Sequence, residues 1–451
     1  MAKDMTKGTP WKLILFFTIP ILIGNVFQQF YNMADTIIVG RFVNIDALAA
    51  VGTTGPALFL ILGFAIGMTG GFGIIAAQRF GANDEEGVRY SVATSIILCG
   101  IITVVLTFVS MLTANTLLKA MNTPDNIMKE AHLYLMIMYA GTGAIIYYNM
   151  IASILRALGD SKTPLYFLIL SSLMNILLDL ALIIIFHMGV AGAAIATVVS
   201  QLCSALLCTL YTARKYKILS LKMHHFKMNK WLITTHLRIG IPMAIQSSIT
   251  ALGVMILQAA LNVFGSDVIA AYTAANKVEA IIMQIFNSLG LTMATYCGQN
   301  MGAHQIDRIK QGIRSSTAMS LIGSGIGICI NVFFGGFLTG LFMNEVNVEI
   351  LDYAQQYLNI VAVFYPPLAL LFLYRNVLQG VGESLFPMLG GVTEFVARLL
   401  VIFTLPSMLG YVGVCLASPV AWLATAILLF VRYLVWAKKL PDEKEIAEDF
   451  T

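Results

Sequence analysis

The stretch LRALGDSKTP (155–164) returns 223 residues later as LQGVGESLFP (378–387). Other similar segments are separated by nearly the same distance: TIPIL around Pro20 matches GIPMA around Pro242, and a Gln-x-x-Gly-Ala motif occurs in each half. Because the separation stays between 221 and 223 residues, coincidence does not explain it. The sequence therefore predicts two copies of one fold in a chain of 451 residues.

The composition places both copies in a membrane. Hydrophobic residues make up 58% of the chain, charged residues make up 11%, and the mean hydropathy is +0.83. Apolar segments of about 20 residues or more, the length that crosses a bilayer as a helix, recur along the whole sequence. The predicted fold class is an all-α polytopic membrane protein with twelve transmembrane helices.

The predicted spans form two sets of six. They lie near 13–38, 47–77, 91–117, 130–158, 163–187, 190–213, 233–264, 267–298, 312–341, 347–380, 386–408 and 411–436. Six spans per half mean that both halves enter the membrane in the same direction, as parallel lobes related by a pseudo-two-fold axis along the membrane normal. The predicted parts are an N-terminal lobe at 1–213, a basic cytoplasmic linker at 214–232, a C-terminal lobe at 233–437 and a cytoplasmic tail at 438–451.

The distribution of basic residues predicts the orientation. With the N-terminus in the cytoplasm, the inner segments hold 20 of the 27 Lys and Arg residues and the outer segments hold three. This bias follows the positive-inside rule. We therefore expect a multi-pass protein of the cell membrane with both termini cytoplasmic and its first helix retained. The six cysteines form no CxxC pair, so neither a disulfide framework nor a zinc site is predicted.

Motifs of soluble enzymes are missing from the sequence: it contains no P-loop, no HExxH, no GxSxG and no GxGxxG after a strand. We therefore expect no enzymatic activity, no cofactor and no nucleic-acid partner. Two repeated lobes joined by a long linker are typical of a transporter, which we expect to act as a monomer in the lipid bilayer on a small molecule. Without a nucleotide site, an ion gradient would have to drive the transport, or it would be passive.

Two acids lie at membrane depth in the first half. Asp35 is the only charged side chain from Leu13 to Val39, and Asp179 follows Asn175 by four residues. Residues at i and i+4 share a helix face, so the amide and the carboxylate point to one place. Because an acid in the membrane costs free energy, a functional role is the default interpretation. The alternatives are that Asp35 is a hydrated residue at a helix end and that Asp179 has a structural role. Such a group can exchange a proton or bind a hard cation.

Other polar side chains could line a cavity or make hydrogen bonds between helices. In the first half they are Gln28, Asn32, Tyr147 and Asn149. In the second half, Glu279 has no partner on its own helix, and a functional and a structural role are equally open. Glu394 and Arg398 have i, i+4 spacing, which favours a structural ion pair.

Several of these segments together resemble the multidrug and toxic compound extrusion (MATE) family, in its DinF-like branch. They are ADTIIVGR (34–41) with ALAAVG (47–52), the Gln-x-x-Gly-Ala loop, LRALGDSKTP, and Asn-x-x-x-Asp at 175–179. The resemblance covers nearly the whole chain in order. It implies two six-helix lobes that export organic, usually cationic and lipophilic compounds in exchange for protons or sodium.

The resemblance also implies a cation site in the first lobe. Its acids correspond to Asp35 and Asp179 and its amide to Asn175, while Tyr134 and Thr197 match a tyrosine and a threonine of the family pattern. A proton or a sodium ion would be the coupling ion at these residues, and no other metal is expected.

Other family members use acids in the second lobe. Glu279 corresponds to one of them, but residues 357–380 of the tenth span (YLNIVAVFYPPLALLFLYRNVLQG) contain no acid and carry Arg375 instead, which favours the first lobe. The prediction is therefore a cation-coupled antiporter of small organic compounds. The alternative is a lipid or lipid-linked oligosaccharide flippase of the same architecture, which would need a more basic cavity than Lys277, Arg375 and Arg398 supply.

Overall fold

The computed structural model describes residues 4–227, 229–342 and 348–439, and the regular structure within these ranges is helical. The α-helices are α1 Pro10–Phe42, α2 Ile45–Gly81, α3 Glu85–Ala120, α4 Asp125–Ala140, α5 Thr142–Ala157, α6 Lys162–Asp179, α7 Gly189–Lys215, α8 Lys230–Leu261, α9 Ser266–Gly302, α10 Ile306–Gly340, α11 Val348–Val363, α12 Tyr365–Gly380, α13 Leu385–Thr404, α14 Pro406–Leu409, α15 Tyr411–Cys415 and α16 Ala417–Lys439. A π-helical segment, Leu180–Ile185, continues α6.

Within these ranges, ten helices are long and apolar enough to cross a membrane. Two further spans are bent pairs, α4 with α5 at 46° and α11 with α12 at 54°, so the number rises to twelve. These elements agree with the predicted spans and confirm the all-helical membrane fold. Most of the observed helices begin a few residues before the predicted spans, because hydropathy marks only their apolar part, whereas α8 and α13 end earlier than predicted. At the start of α3, for example, Asp84 caps the backbone N–H of Gly87 at 2.8 Å.

Both bends have local causes. α4 meets α5 at Gly141, where an added Cβ would lie 2.1 Å from Cγ2 of Val198 on α7, so a larger residue does not fit without movement. α11 ends at Val363, and α12 begins with Pro366 and Pro367 in its first turn. Proline fits this position but cannot donate a hydrogen bond to a preceding turn, which separates the two helices.

The chain divides into two compact units. The first is formed mainly by Ile23–Ser248, and the second by Met5–Leu22 together with the chain from Ile249 onward. The boundaries fall inside α1 and α8, the first helix of each repeat. The predicted division at 213 and 233 follows the sequence repeats, whereas the compact units follow packing, and the two divisions therefore differ. The predicted tail lies outside the described residues from 440 onward.

Glycine allows close helix packing inside the first unit. α2 lies against the first part of α8, where a Cβ on Gly67 would be 2.6 Å from the carbonyl oxygen of Met243. One turn further along α2, a Cβ on Gly71 would be 2.7 Å from Cα of Gly240. Such backbone contact between small residues is a common way to associate helices in lipid, where the hydrophobic effect does not drive helices together.

The described part of the basic linker is held against α3. Nδ1 of His225 accepts the backbone N–H of Lys222 at 2.8 Å, so Nε2 is the protonated nitrogen and donates to Glu86 at 2.9 Å. Arg89, also on α3, donates from Nε to the carbonyl oxygen of Ile218 at 3.2 Å. The linker therefore folds onto the first unit.

The repeated stretch forms a similar turn in each unit. Gly159 and Gly382 have φ angles of +79° and +92°, in the left-handed region that favours glycine. Each is followed by an acid that makes an ion pair: Asp160 with Lys215, and Glu383 with Arg432. The repeat in the sequence therefore encodes both a backbone conformation and a charge pair at the start of α6 and of α13.

Asp160 is surrounded by donors. The backbone N–H groups of Lys162 and Thr163 bond to Oδ1 at 3.0 Å each, and the Thr163 hydroxyl donates to Oδ2 at 2.5 Å. The Tyr216 hydroxyl also donates to Oδ2. Burial opposes ionisation of Asp160, but the hydrogen bonds from Thr163 and Tyr216 outweigh it and hold the pKa of Asp160 below its usual value. Burial, followed by the bond to Asp160, raises the pKa of Tyr216 to about 12.

Candidate cation site

The two membrane acids of the first unit face each other. Asp35 is half-buried on α1, Asp179 is fully buried as the last residue of α6, and their carboxyl groups lie close enough to interact directly. Three of their oxygens have no hydrogen-bond partner in the described part of the chain: both oxygens of Asp179 and Oδ1 of Asp35. Both groups are acceptors when ionised and would repel each other, and a proton or a cation between them would remove this repulsion.

The backbone around Asp179 is irregular. The α-helix ends there and continues as the π-helical segment Leu180–Ile185, in which the N–H of Phe186 bonds to the carbonyl oxygen of Ala181 at 3.1 Å. α7 packs closely on this segment at Gly192, where a Cβ would lie 3.2 Å from Cβ of Leu182. π-helical turns inside helices are frequent at functional sites because they redirect side chains.

Asn175 adds an amide oxygen to the oxygens of the two acids. It lies one turn before Asp179 on α6, and its Nδ2 donates to Oγ1 of Thr197 on α7 at 3.3 Å. Thr197 in turn donates to the carbonyl oxygen of Ala193 at 3.1 Å. These bonds orient the amide, and its buried Oδ1 has no partner among the described residues. Carboxylate and amide oxygens together are a suitable donor set for a hard cation such as sodium.

Tyrosines and a glutamine surround the acids. Tyr134, buried on α4, lies within electrostatic range of Asp35 and Asp179. Tyr31, one turn before Asp35 on α1, interacts through its hydroxyl with the side chains of Gln28 and Gln201. The structure thus brings the five residues of the predicted cation site to one region of the first unit, and Gln28 reaches this region through Tyr31.

The structure adds one residue that the sequence analysis missed. Gln201 on α7 is 7% exposed, and its Oε1 has no hydrogen-bond partner within the described ranges. It lies four residues after Thr197, so the i, i+4 rule that connects Asn175 with Asp179 could have identified it. Tyr31 was visible in the sequence as a polar neighbour of Asp35, but its contact with α7 depends on helix packing.

The remaining candidates make other contacts. The Tyr147 hydroxyl lies 3.0 Å from Oγ1 of Thr209 on α7, and Nδ2 of Asn149 donates to the carbonyl oxygen of Ile145 at 2.8 Å, within its own helix. Asn32 is exposed. Their role as residues that line a cavity stays a prediction.

Glu279 belongs to the second unit. Its Oε2 accepts the Tyr357 hydroxyl at 2.5 Å, and it lies within electrostatic range of Arg398. Glu394 accepts from Arg375 and from Arg398 at 3.0 Å each. The predicted i, i+4 pair between Glu394 and Arg398 is therefore present, and Arg375 joins it.

Comparison with known proteins identifies the family. The MatE family model matches residues 20–181 and 242–404, which together are more than half of the chain and lie in both repeats. The chain belongs to the MatE family. This confirms the resemblance found in the sequence, while the DinF-like branch stays a prediction. As a member of the MatE family, the chain is a multi-pass membrane transporter.

Similar MatE proteins include two from Bacillus subtilis (strain 168). "Probable multidrug resistance protein YoeA" is 30% identical over 453 residues, covering 97% of each chain. "Probable multidrug resistance protein YpnP" is 28% identical over 448 residues, covering 98% of this chain and all of that one.

A solved structure described as "Outward-facing conformation of a multidrug resistance MATE family transporter of the MOP superfamily" has a TM-score of 0.89 at 22% identity, over 97% of this chain and 99% of that chain. This last likeness concerns the fold alone. The two Bacillus proteins are named for drug resistance and not for lipid or oligosaccharide transport, so they do not favour the flippase alternative.

Proposed function

We propose that the protein is a cation-coupled antiporter that exports small organic compounds, with Asp35, Asn175 and Asp179 as its coupling site. The observation that carries the proposal is the pair of facing carboxyl groups, in which Oδ1 of Asp35 and both oxygens of Asp179 have no hydrogen-bond partner in the described chain. A structural acid normally finds donors, as Asp160 does in the same unit. Names of relatives that refer to multidrug resistance support the substrate class, which we propose to be cationic or lipophilic compounds.

The coupling follows from electrostatics. Two ionised carboxylates in a water-poor site repel each other, and a proton or a sodium ion between them removes the repulsion. Sodium would be held by oxygens of Asp35, Asp179 and Asn175, while a proton would need only the two acids. Ion binding from the outside would favour the conformation that releases the organic compound, because a ligand shifts the equilibrium toward the state that binds it better.

The same proposal includes the setting of the transporter. The excess of Lys and Arg in alternate connections supports a cell-membrane location with both termini in the cytoplasm. Each unit brings its own buried polar cluster within a single chain, which supports a monomer as the working form.

The experiment that tests the coupling site is export of an organic cation dye from reconstituted vesicles. A proton gradient and a sodium gradient are imposed separately, so the same assay identifies the coupling ion. We expect Asp179→Asn to reduce gradient-driven export to the level of empty vesicles, because the neutral amide cannot release a proton or balance the charge of a bound cation.

Asp307→Asn is the matched control, since it makes the same chemical change in an exposed acid at the start of α10. This variant should transport at the wild-type rate. Full export by Asp179→Asn under both gradients would disprove the proposed site.

A further inference from the structure

A buried arginine in the second unit has unused hydrogen-bond donors. Arg398, on α13, is 3% exposed, and its Nη2 donates to Oε1 of Glu394 at 3.0 Å. Its Nε and Nη1 are also buried, and neither has a hydrogen-bond partner within the described ranges. An unpaired buried donor is costly, and more so on a charged group, so one that a structure retains calls for an explanation such as a bound ligand, ion or water.

The charge around Arg398 is not balanced by its direct partners. The second oxygen of Glu394 accepts from Nη2 of Arg375 at 3.0 Å, so two guanidinium groups share one carboxylate. Arg375, Glu394 and Arg398 together therefore carry one excess positive charge. Glu279 lies within electrostatic range, but its hydrogen bond comes from Tyr357 and it leaves the two free donors of Arg398 unpaired.

The chain leaves room for this guanidinium group at one position of α8. A Cβ on Gly253 would lie 2.2 Å from Nη1 of Arg398, closer than any side chain allows. The missing side chain at Gly253 therefore lets the guanidinium group of Arg398 lie directly against α8.

We propose that Arg398 binds a negatively charged group, a carboxylate or a phosphate, of a small organic compound that the protein carries. Guanidinium N–H groups form strong charge-assisted hydrogen bonds with such groups, and a dehydrated site strengthens them further. The inference rests on the proposed transport function and specifies part of its substrate class: cationic or lipophilic compounds that also carry an anionic group, such as zwitterions, bind at Arg398 through that group. Glu394 and Arg375 position the guanidinium, and Tyr357 keeps Glu279 engaged elsewhere.

Equilibrium binding to the purified full-length protein in detergent tests this inference without any gradient. The probes are a rhodamine with a free carboxylate and its methyl ester, which have the same chromophore and differ by one negative charge. Fluorescence anisotropy gives the Kd of each. We expect the wild type to bind the acid more tightly than the ester, and Arg398→Met to weaken binding of the acid about tenfold or more while the ester changes little.

Two further variants separate binding from folding. Arg398→Lys retains the charge and the pair with Glu394, so its affinity for the acid should lie between those of the wild type and of Arg398→Met. Gly253→Ala keeps every charge but displaces the end of Arg398, and should also weaken the acid selectively. Ester binding reports whether each variant is folded.

The inference is overturned if the acid and the ester lose affinity equally in Arg398→Lys and Gly253→Ala, which would indicate a structural role. It is also overturned if the wild type prefers the ester or binds neither dye. Failure of the transport proposal gives a different pattern, in which the acid still binds selectively through Arg398 but neither gradient drives export.

Discussion

Single aspartates in this protein show how surroundings decide the role of a side chain. Asp160 is buried at a turn and receives hydrogen bonds from Thr163 and Tyr216. Asp179 is buried in a helix and receives none within the described chain. The first acid is satisfied by the protein alone, which is typical of a structural residue. The second is not, and this difference is the reason for proposing Asp179 as part of the coupling site.

The satisfied acid leads to a prediction about stability. We expect Asp160→Asn to lower the free energy of unfolding by about 1–3 kcal/mol, because the charged acceptor of several hydrogen bonds is replaced by a neutral amide. The thermal midpoint of purified protein in detergent measures this. Glu85→Gln is the control: its side chain is 64% exposed and pairs with Arg89 at the surface, so the midpoint should change little. Equal effects of the two variants would contradict the structural role of Asp160.

The same acid gives a pH dependence with a defined sign. The folded state holds the pKa of Asp160 below its usual value, so ionised Asp160 stabilises the protein. This contribution is complete above the unfolded pKa of about 3.9 and is lost as the pH falls through the lower folded pKa. The stability difference between wild type and Asp160→Asn should therefore be constant near neutral pH and shrink in strong acid. A difference that grows on acidification would reverse the assignment.

At the scale of elements, two of the spans that bear the site are irregular. α4 and α5 bend by 46° at Gly141, and α6 passes into a π-helical segment directly after Asp179. Both irregularities pack on α7, through Val198 and Gly192. A regular helix would direct successive side chains by a fixed rotation, whereas these breaks allow residues of several helices to converge on one point.

The bend leads to a prediction about packing. Gly141→Ala should destabilise the protein by about 1–3 kcal/mol, because the new Cβ overlaps Val198. Gly100→Ala, on α3, is the matched control, since nothing lies within 4 Å of a Cβ there. Thermal midpoints of the variants give the comparison. Adding Val198→Ala should restore part of the stability of Gly141→Ala, and an absence of any rescue would argue against overlap as the cause.

At the scale of the whole molecule, the two repeats share a fold but not their buried charges. Both contain the turn with a left-handed glycine and an acid, at Gly159 and Gly382. In the first unit, half-buried Asp35 and buried Asp179 have no arginine partner among the described residues, while the second unit buries Arg375, Glu394 and Arg398 as an ion cluster. Duplication of a fold therefore preserved the elements that shape it, and the sites diverged because side chains facing a polar interior are not needed for the fold.

The orientation of the whole molecule is open to a labelling test. Met223 in the linker and Val263 after α8 are 86% and 85% exposed, and the charge bias puts them on opposite sides of the membrane. In a Cys329→Ser background, which removes the exposed cysteine, a membrane-impermeant maleimide should label Val263→Cys in intact cells. It should label Met223→Cys only after the cells are permeabilised. The reverse pattern would place the termini outside.

Much of the candidate site could be predicted because its main residues break the hydrophobic pattern. Asp35 and Asp179 are visible as isolated charges in apolar segments, and Asn175 follows from helix periodicity. Gln201 and the contact of Tyr31 with it were not predicted, because a polar residue in a membrane helix faces either a neighbouring helix or a cavity, and periodicity alone does not distinguish the two. For the same reason Tyr147 and Asn149 were candidates in the sequence but make other hydrogen bonds.

The sequence by itself determined the number of spans, the two repeats, the family and the identity of the buried acids, because these depend on hydrophobicity and spacing along the chain. Only the tertiary structure decided that Asp35 and Asp179 face each other, that α1 and α8 are each divided between compact units, and that Nε and Nη1 of Arg398 have no hydrogen-bond partner among the described residues. These features depend on which helix faces meet. Packing determines which faces meet, at residues such as Gly141, Gly192 and Gly253. At these positions a side chain would collide with a neighbouring helix, and this collision is visible only in the folded structure.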